Sequence, residues 1–242
     1  MKIENSAVNI TFARCENIKR QYILNEDILK NNFNEANILP IPDEAPVEIP
    51  RIIIKTKGEH SQLSIAPEAA SFQTIYTDLF KENWDLCEEY VKNRIEDVFK
   101  LIDTFKSEKY KYIGIVTNLM WDEVEVEGNK VLFENLFAHC PVDNLDDLVV
   151  KYTYIENEKY YVNITLQSVR VYENEETNEA GCYMDEKLKT HTIGITLDVN
   201  DRYMFNRQKD YCSDKHRFEE LLGITTMIIN EKLKTLVEKG EY

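Results

Sequence analysis

From Phe80 to Phe105 the apolar residues recur at the spacing of an α-helix. Phe80, Trp84, Cys87, Val91, Ile95, Val98, Ile102 and Phe105 step by four, three, four, four, three, four and three residues. That spacing keeps them on one side of a 3.6-residue period. Thr77 or Asp78 stands where a cap would start the helix. The stripe predicts one amphipathic helix over 78–106, about 40 Å long at a rise of about 1.5 Å per residue. Glu82, Asp85, Glu89, Lys92, Glu96 and Lys100 fall on its solvated side. A helix with so long an apolar stripe must bury it against another broad element.

A second stripe closes the chain. Phe218, Leu221, Leu222, Thr225, Ile228, Ile229, Leu233 and Leu236 predict a helix over 213–238, begun by Ser213 or Asp214, with Gly240 just past its end. Strands fill much of the rest. Val8, Ile10 and Phe12 alternate with Asn9, Thr11 and Ala13, as a half-buried strand does. Short apolar runs at 51–55 and 62–65 flank Gly58, a hairpin signal, and 72–76 follows as another strand. A strand from Tyr112 extends towards Trp121, and a second hairpin is expected at 127–130, between 124–126 and 131–133. Residues 148–154 and 161–172 pair through the polar turn 157–159, and Ile193, Ile195, Leu197 and Val199 alternate in the last strand. Pro40, Pro42, Pro46 and Pro50 make 39–50 an extended connector, because proline neither continues a helix nor pairs in a central strand.

Hairpins outnumber the crossovers that a parallel sheet needs, so the fold class is α+β, a mostly antiparallel sheet packed with two long amphipathic helices. The 242 residues fit a single domain. Its halves, 1–140 and 141–242, each hold several strands and one long helix, although no repeat is visible in the residues themselves.

The chain carries 44 acidic and 29 basic side chains, a formal net charge of -15. Such a field repels phosphate backbones and anionic membranes, so generic nucleic-acid binding is disfavoured and a basic protein partner or a bound cation suits the balance better. Solubility alone also explains it. Cys15, Cys87, Cys140, Cys182 and Cys212 are odd in number and scattered, and Met1–Asn5 lacks the features of a secretion signal. Reduced cytoplasmic thiols are expected, and no apolar run is long enough to cross a bilayer as a helix.

No phosphate-binding glycine loop, serine nucleophile elbow or zinc-protease helix motif occurs, so neither a catalytic residue nor a cofactor or metal site is assigned. His60 falls in the first hairpin turn, a solvent position, and His139 adjoins Cys140. Cys212 and His216 have the spacing of half a zinc site, without the other half. Asp122, Glu123, Glu125 and Glu127 resemble a cation cluster, but Glu123, Glu125 and Glu127 alternate with Val124 and Val126 as the wet face of an edge strand would. Asp185-Glu186-Lys187 has the residue types of a metal-dependent nuclease without its second acidic strand. Trp121 ends a strand directly before the acidic run, where it either forms a contact surface with Asp122, Glu123 and Glu125 or closes one end of the core.

Several segments are similar to a sporadically distributed family of uncharacterised prokaryotic proteins of comparable length. They are Ala7-Val8-Asn9-Ile10-Thr11-Phe12, the stretch from Pro46 through Arg51 to Pro67, the helix containing Trp84, Ile195-Thr196-Leu197-Asp198-Val199, and the helix from Phe218 to Leu233. The family's Arg-Tyr-aliphatic-Asn run after the central glycine is missing here, where Gly114 leads into Ile115-Val116-Thr117-Asn118. The resemblance implies the α+β architecture and a prokaryotic cytoplasmic setting. By analogy it also implies horizontally moved defence or toxin-linked systems. The expected function is a non-enzymatic protein-interaction or binding component. The alternatives are a metal-assisted hydrolase using dispersed carboxylates, and a small-ligand binder with a helix in the hollow of a curved sheet.

Overall fold

The computed structural model describes residues 1–42, 44–105, 110–121, 128–136, 145–173, 176–177, 183–184 and 187–240. The chain runs β1 (Lys2–Thr11), α1 (Ile18–Asn25) with a short 3-10 turn behind it, β2 (Asn37–Ile38), β3 (Ile52–Lys55), β4 (Ser61–Ala66), β5 (Ala69–Ile75), α2 (Asp78–Lys81) and α3 (Trp84–Phe105). It continues through β6 (Tyr112–Trp121), α4 (Gly128–Leu136), β7 (Val149–Glu156), β8 (Tyr160–Glu173), β9 (Glu176–Thr177), β10 (Tyr183–Met184) and β11 (Lys187–Asn200). Helices α5 (Arg202–Arg207), α6 (Lys215–Met227) and α7 (Leu233–Lys239) end the described chain, and the π-helical turn Ile228–Lys232 joins the last two. The α+β expectation holds.

Nine strands form one antiparallel sheet in the order β2-β3-β4-β5-β1-β6-β11-β8-β7. The β6–β11 ladder, from Trp121↔Ile193 to Gly114↔Asn200, joins strands from before residue 140 to strands from after it. Alternation decides which side each residue faces. Val8 and Ile10 of β1, Phe72 of β5, Ile113, Ile115 and Leu119 of β6, Ile195, Leu197 and Val199 of β11, and Val162, Ile164 and Leu166 of β8 are all buried. The register brings them to one face. Helices α3 and α6 lay their stripes over that face, joined by the edge-to-face pair Phe99–Phe218 at 5.6 Å between ring centroids. Trp84 Nε1 also donates to Thr226 Oγ1 at 2.8 Å, and that hydroxyl donates to Glu88 at 2.7 Å.

The predicted helix over 78–106 is two helices. Its period is right, but Asn83 interrupts it: the Asn83 side chain accepts from the Leu86 N–H at 3.3 Å, the bond of an N-cap, and α3 restarts there. The expected hairpin at 127–130 is a larger correction. Val131–Phe133 belongs to α4, while 124–126 lies outside the described residues. Gly128 serves close approach and not a turn, since a Cβ there would sit 2.6 Å from the Thr192 carbonyl oxygen on β11. The closing helix is continuous over its predicted span, capped at Asp214, whose side chain accepts from Arg217 N–H at 2.9 Å. It ends at Gly240 with φ 67°, where a side chain would collide with the Asn135 carbonyl of α4. The turn at 157–159 matches as well, with Asn157 and Glu158 both at positive φ.

Two buried charged residues fix the loops. Arg51 is 1% exposed and donates to the carbonyls of Ile49, Ala45 and Pro46 at 2.5, 2.9 and 3.4 Å, so the proline connector is folded around a guanidinium. Asp201, fully buried, accepts from Ile113 N–H and Tyr211 OH at 2.7 Å each and from the Ser213 hydroxyl. It ties the segment between α5 and α6 to β6.

Burial pushes the Asp201 carboxyl above its ordinary 3.8, outweighing these hydrogen bonds. The folded chain therefore holds this proton more tightly than the unfolded one. The resulting stability is complete below the unfolded value and is lost as pH rises through the folded value. Asp201→Asn keeps an acceptor for Ile113 and can donate to the hydroxyls, so it should flatten this fall in urea unfolding measured from about pH 4 to about pH 7. Asp201→Ala should cost about 2–3 kcal/mol by leaving buried donors unpaired.

Candidate functional site: the uncovered face of the sheet

The same alternation that fills the core gives the opposite face a different chemistry. Between β5 and β8 that face carries Ala69, Ser71, Gln73 and Ile75, then Asn5, Ala7, Asn9 and Thr11. It continues through Tyr112, Gly114, Val116, Asn118 and Met120, then Thr192, Gly194, Thr196, Asp198 and Asn200, and lastly Tyr161, Asn163, Thr165 and Gln167. In a chain with 30% charged residues, Asp198 is the one charge in this set. The long helices α3 and α6 lie on the other side, and among the described residues this broad face is left uncovered.

Most of the hydrogen bonds on this face run across the strands, and one joins neighbours along β11. Thr196 Oγ1 donates to Asn118 Oδ1, and Asn118 Nδ2 donates to Asn5 Oδ1, both at 2.7 Å. Thr153 Oγ1 donates to Asn163 Oδ1 at 2.8 Å, and Asn163 Nδ2 and Asn200 Nδ2 donate to the two oxygens of Asp198 at 3.1 and 2.9 Å. Ser71 Oγ donates to Asn9 Oδ1 at 2.8 Å. These relays fix short side chains in place, so ordering them again on binding costs little entropy. At about 4.8 Å per strand and about 3.3 Å per residue the five strands give a face roughly 25 by 25 Å, on the order of 600 Å², a large part of the roughly 800 Å² that one partner contributes to a standard interface.

Helix α5 walls one end of this face. Phe205 packs on Tyr112 and Tyr203 on Tyr161, each at 5.3 Å between ring centroids. Arg202 Cζ lies 4.9 Å from the centre of the Tyr112 ring, and Arg207 Cζ lies 4.8 Å from that of Tyr203. Tyrosine and arginine are the residue types that dominate binding energy at protein interfaces. Apolar periodicity does not mark 202–207; the signal there is an aromatic and basic run following directly on a strand.

Of the residues singled out from sequence, those that are described stand apart from one another. Trp121 is 5% exposed and part of the core, because its position in β6 turns it to the helix-covered side. It closes the core and offers little surface. Asp122, Glu123, Glu125, Glu127, His139, Cys140, Cys182, Asp185 and Glu186 lie outside the described residues. His60 is exposed on its turn. Cys212 is exposed, and His216 faces Glu219 and Glu220 on its own helix at 3.9 and 4.0 Å. Among the described residues no three His, Cys, Asp or Glu side chains stand together as a metal site. Cys87 is fully buried, and burial pushes its thiol up to about 12, which keeps it protonated.

One pairing escaped the sequence reading. Ser168 Oγ and His191 Nε2 lie 2.6 Å apart across the paired strands β8 and β11, a contact that helps pin their register. Of the cavities, the one lined by His60, Thr74, Tyr76 and Tyr90 holds about 60 Å³, room for little more than water. A groove of about 550 Å³ runs between α3 and α6, floored by Ile95, Phe99 and Phe218 and rimmed by Glu88, Lys92, Glu96, Lys215 and Glu219.

No protein-family model matches this chain, and no curated protein matches it in sequence. Tyr112→Ala removes the ring beneath Phe205 and Arg202, which should cost α5 about 1–2 kcal/mol of local stability. Amide exchange across 202–207 is then expected to accelerate about tenfold while exchange in α3 stays unchanged; uniform acceleration would show that α5 is not an independent wall.

Proposed function

We propose that this protein is a non-enzymatic interaction component whose protein partner docks flat on the uncovered face of the sheet. The observation that carries the reading is the composition of that face. It pairs an area close to one partner's share of an interface with mutually hydrogen-bonded polar side chains and a single charge, in a chain of 30% charged residues. A wet sheet face needs only polarity, and in this chain lysine and glutamate would supply it; depletion of charge is the mark of an interface core. The long-range negative field favours a partner that is basic overall. The proposal sets the protein in a prokaryotic cytoplasm, following the scattered cysteines and the family resemblance, with a mobile defence or toxin-linked system as the implied setting.

Native mass spectrometry of the protein purified from its own host should find a stoichiometric complex with one protein. Thr196→Lys, a substitution in the middle of the face, should release that partner while costing no more than about 1.5 kcal/mol in thermal unfolding, the worth of its one hydrogen bond to Asn118. Recovery of the parent chain as a bare monomer, or a partner retained equally by Thr196→Lys, would overturn the proposal.

A further inference from the structure

The segment Arg202-Tyr203-Met204-Phe205-Asn206-Arg207-Gln208-Lys209 carries three basic residues and no acidic one, inside a chain of net charge -15. Arg202, Phe205, Asn206, Arg207, Gln208 and Lys209 are all exposed. Elsewhere on the protein, surface cations are commonly answered by acids: Lys92 by Glu88, Lys100 by Glu96 and Asp97, Lys111 by Glu68, Lys215 by Asp103, Lys234 by Glu238. With 44 acidic side chains available, pairing is the easy outcome. Arg202 and Arg207 instead rest on Tyr112 and Tyr203, and no described carboxylate lies within ion-pairing distance of either.

We infer that α5 is the receptor for an acidic segment of the docked partner, with Arg202 and Arg207 each taking a carboxylate and Phe205 taking an adjacent apolar side chain. This rests on the docking role of the neighbouring sheet face and gives that partner a recognisable feature. A guanidinium seated on an aromatic ring loses little further freedom when it binds, and it pairs with a carboxylate through two parallel hydrogen bonds. Phe205, 37% exposed and packed on the same Tyr112 ring as Arg202, supplies the apolar contact. The occupant is a short peptide segment and not a nucleic acid, because charges beyond about 8 Å are screened at physiological salt. A few carboxylates feel mainly the local patch, whereas a long polyanion must also lie along the acidic remainder of the surface.

The test is a fluorescence-anisotropy titration of the whole protein with a short fluorescein-labelled peptide of glutamate and phenylalanine. A lysine–phenylalanine peptide and a single-stranded oligonucleotide of equal length are titrated alongside. The glutamate peptide should bind, lose affinity as salt rises, and bind at least about tenfold more weakly to the double variant R202Q/R207Q, the loss expected for removing charge-assisted hydrogen bonds. R202K/R207K keeps the charge without the fork and should fall between the two. Thr196→Lys, which disables the sheet face, should leave this titration unchanged, so failure at α5 and failure of the sheet-face reading are told apart. Equal binding by R202Q/R207Q and the parent, or tighter binding of the oligonucleotide or of the lysine peptide, would overturn the inference.

Discussion

Burial of two helical stripes against the same side of one antiparallel sheet is the contact on which the rest of this molecule depends. The stripe of α3 and that of α6 and α7 press on the aliphatic residues of β1, β6, β11 and β8. At about 25 cal/mol per Å² of apolar surface removed from water, each fully buried leucine, isoleucine or phenylalanine contributes about 1.5–3 kcal/mol before entropy is counted. Replacing Leu197 or Ile115 by alanine strikes this layer at its centre. The Trp84–Thr226–Glu88 bonds fasten the two helices together and help hold them on that side.

One-sided packing has a consequence for function. An antiparallel sheet tolerates water on its second face, so nothing in the energetics of the core dictates what stands there beyond polarity. The second face is consequently where the sequence is free to encode something else. Here it holds amides, hydroxyls, alanines and glycines, bonded to one another across the strands, with α5 and its arginine–tyrosine pairs at one end. Charge has been kept off the broad surface and concentrated, with reversed sign, at its edge. Charge-poor centre and charged rim is the anatomy of a protein interface.

Periodicity in sequence reports local geometry, and the strands and helical stripes were legible on that account. Val8, Ile10 and Phe12 alternate because they face a core, and the run from Phe218 to Leu236 holds its period through a π-turn because Ile228 and Ile229 both remain buried. What periodicity cannot show is which distant backbone a residue meets. Gly128 carries the mark of a turn, yet its missing Cβ answers a carbonyl on β11, far away in sequence. Asn83 breaks a helix without disturbing the spacing of the stripe around it. Asp201 and Arg51 are charged residues whose burial depends entirely on partners supplied by tertiary structure. The candidate site is of the same kind. Asn5, Asn118 and Thr196 are unremarkable polar residues in three separate strands until strand order sets them in a row. Trp121, by contrast, attracts notice in the sequence because it is large, and size is what places it in the core.

The most direct test of the central claim is site-specific photocrosslinking in the natural host. A photoreactive residue is placed in turn at Thr196 and Asn9 on the uncovered face and at Glu89 and Glu96 on the outer side of α3. A discrete covalent adduct with one protein from Thr196 and Asn9, with none from Glu89 and Glu96, is the result this account predicts. Adducts from the α3 positions alone, or none from either face, would contradict it.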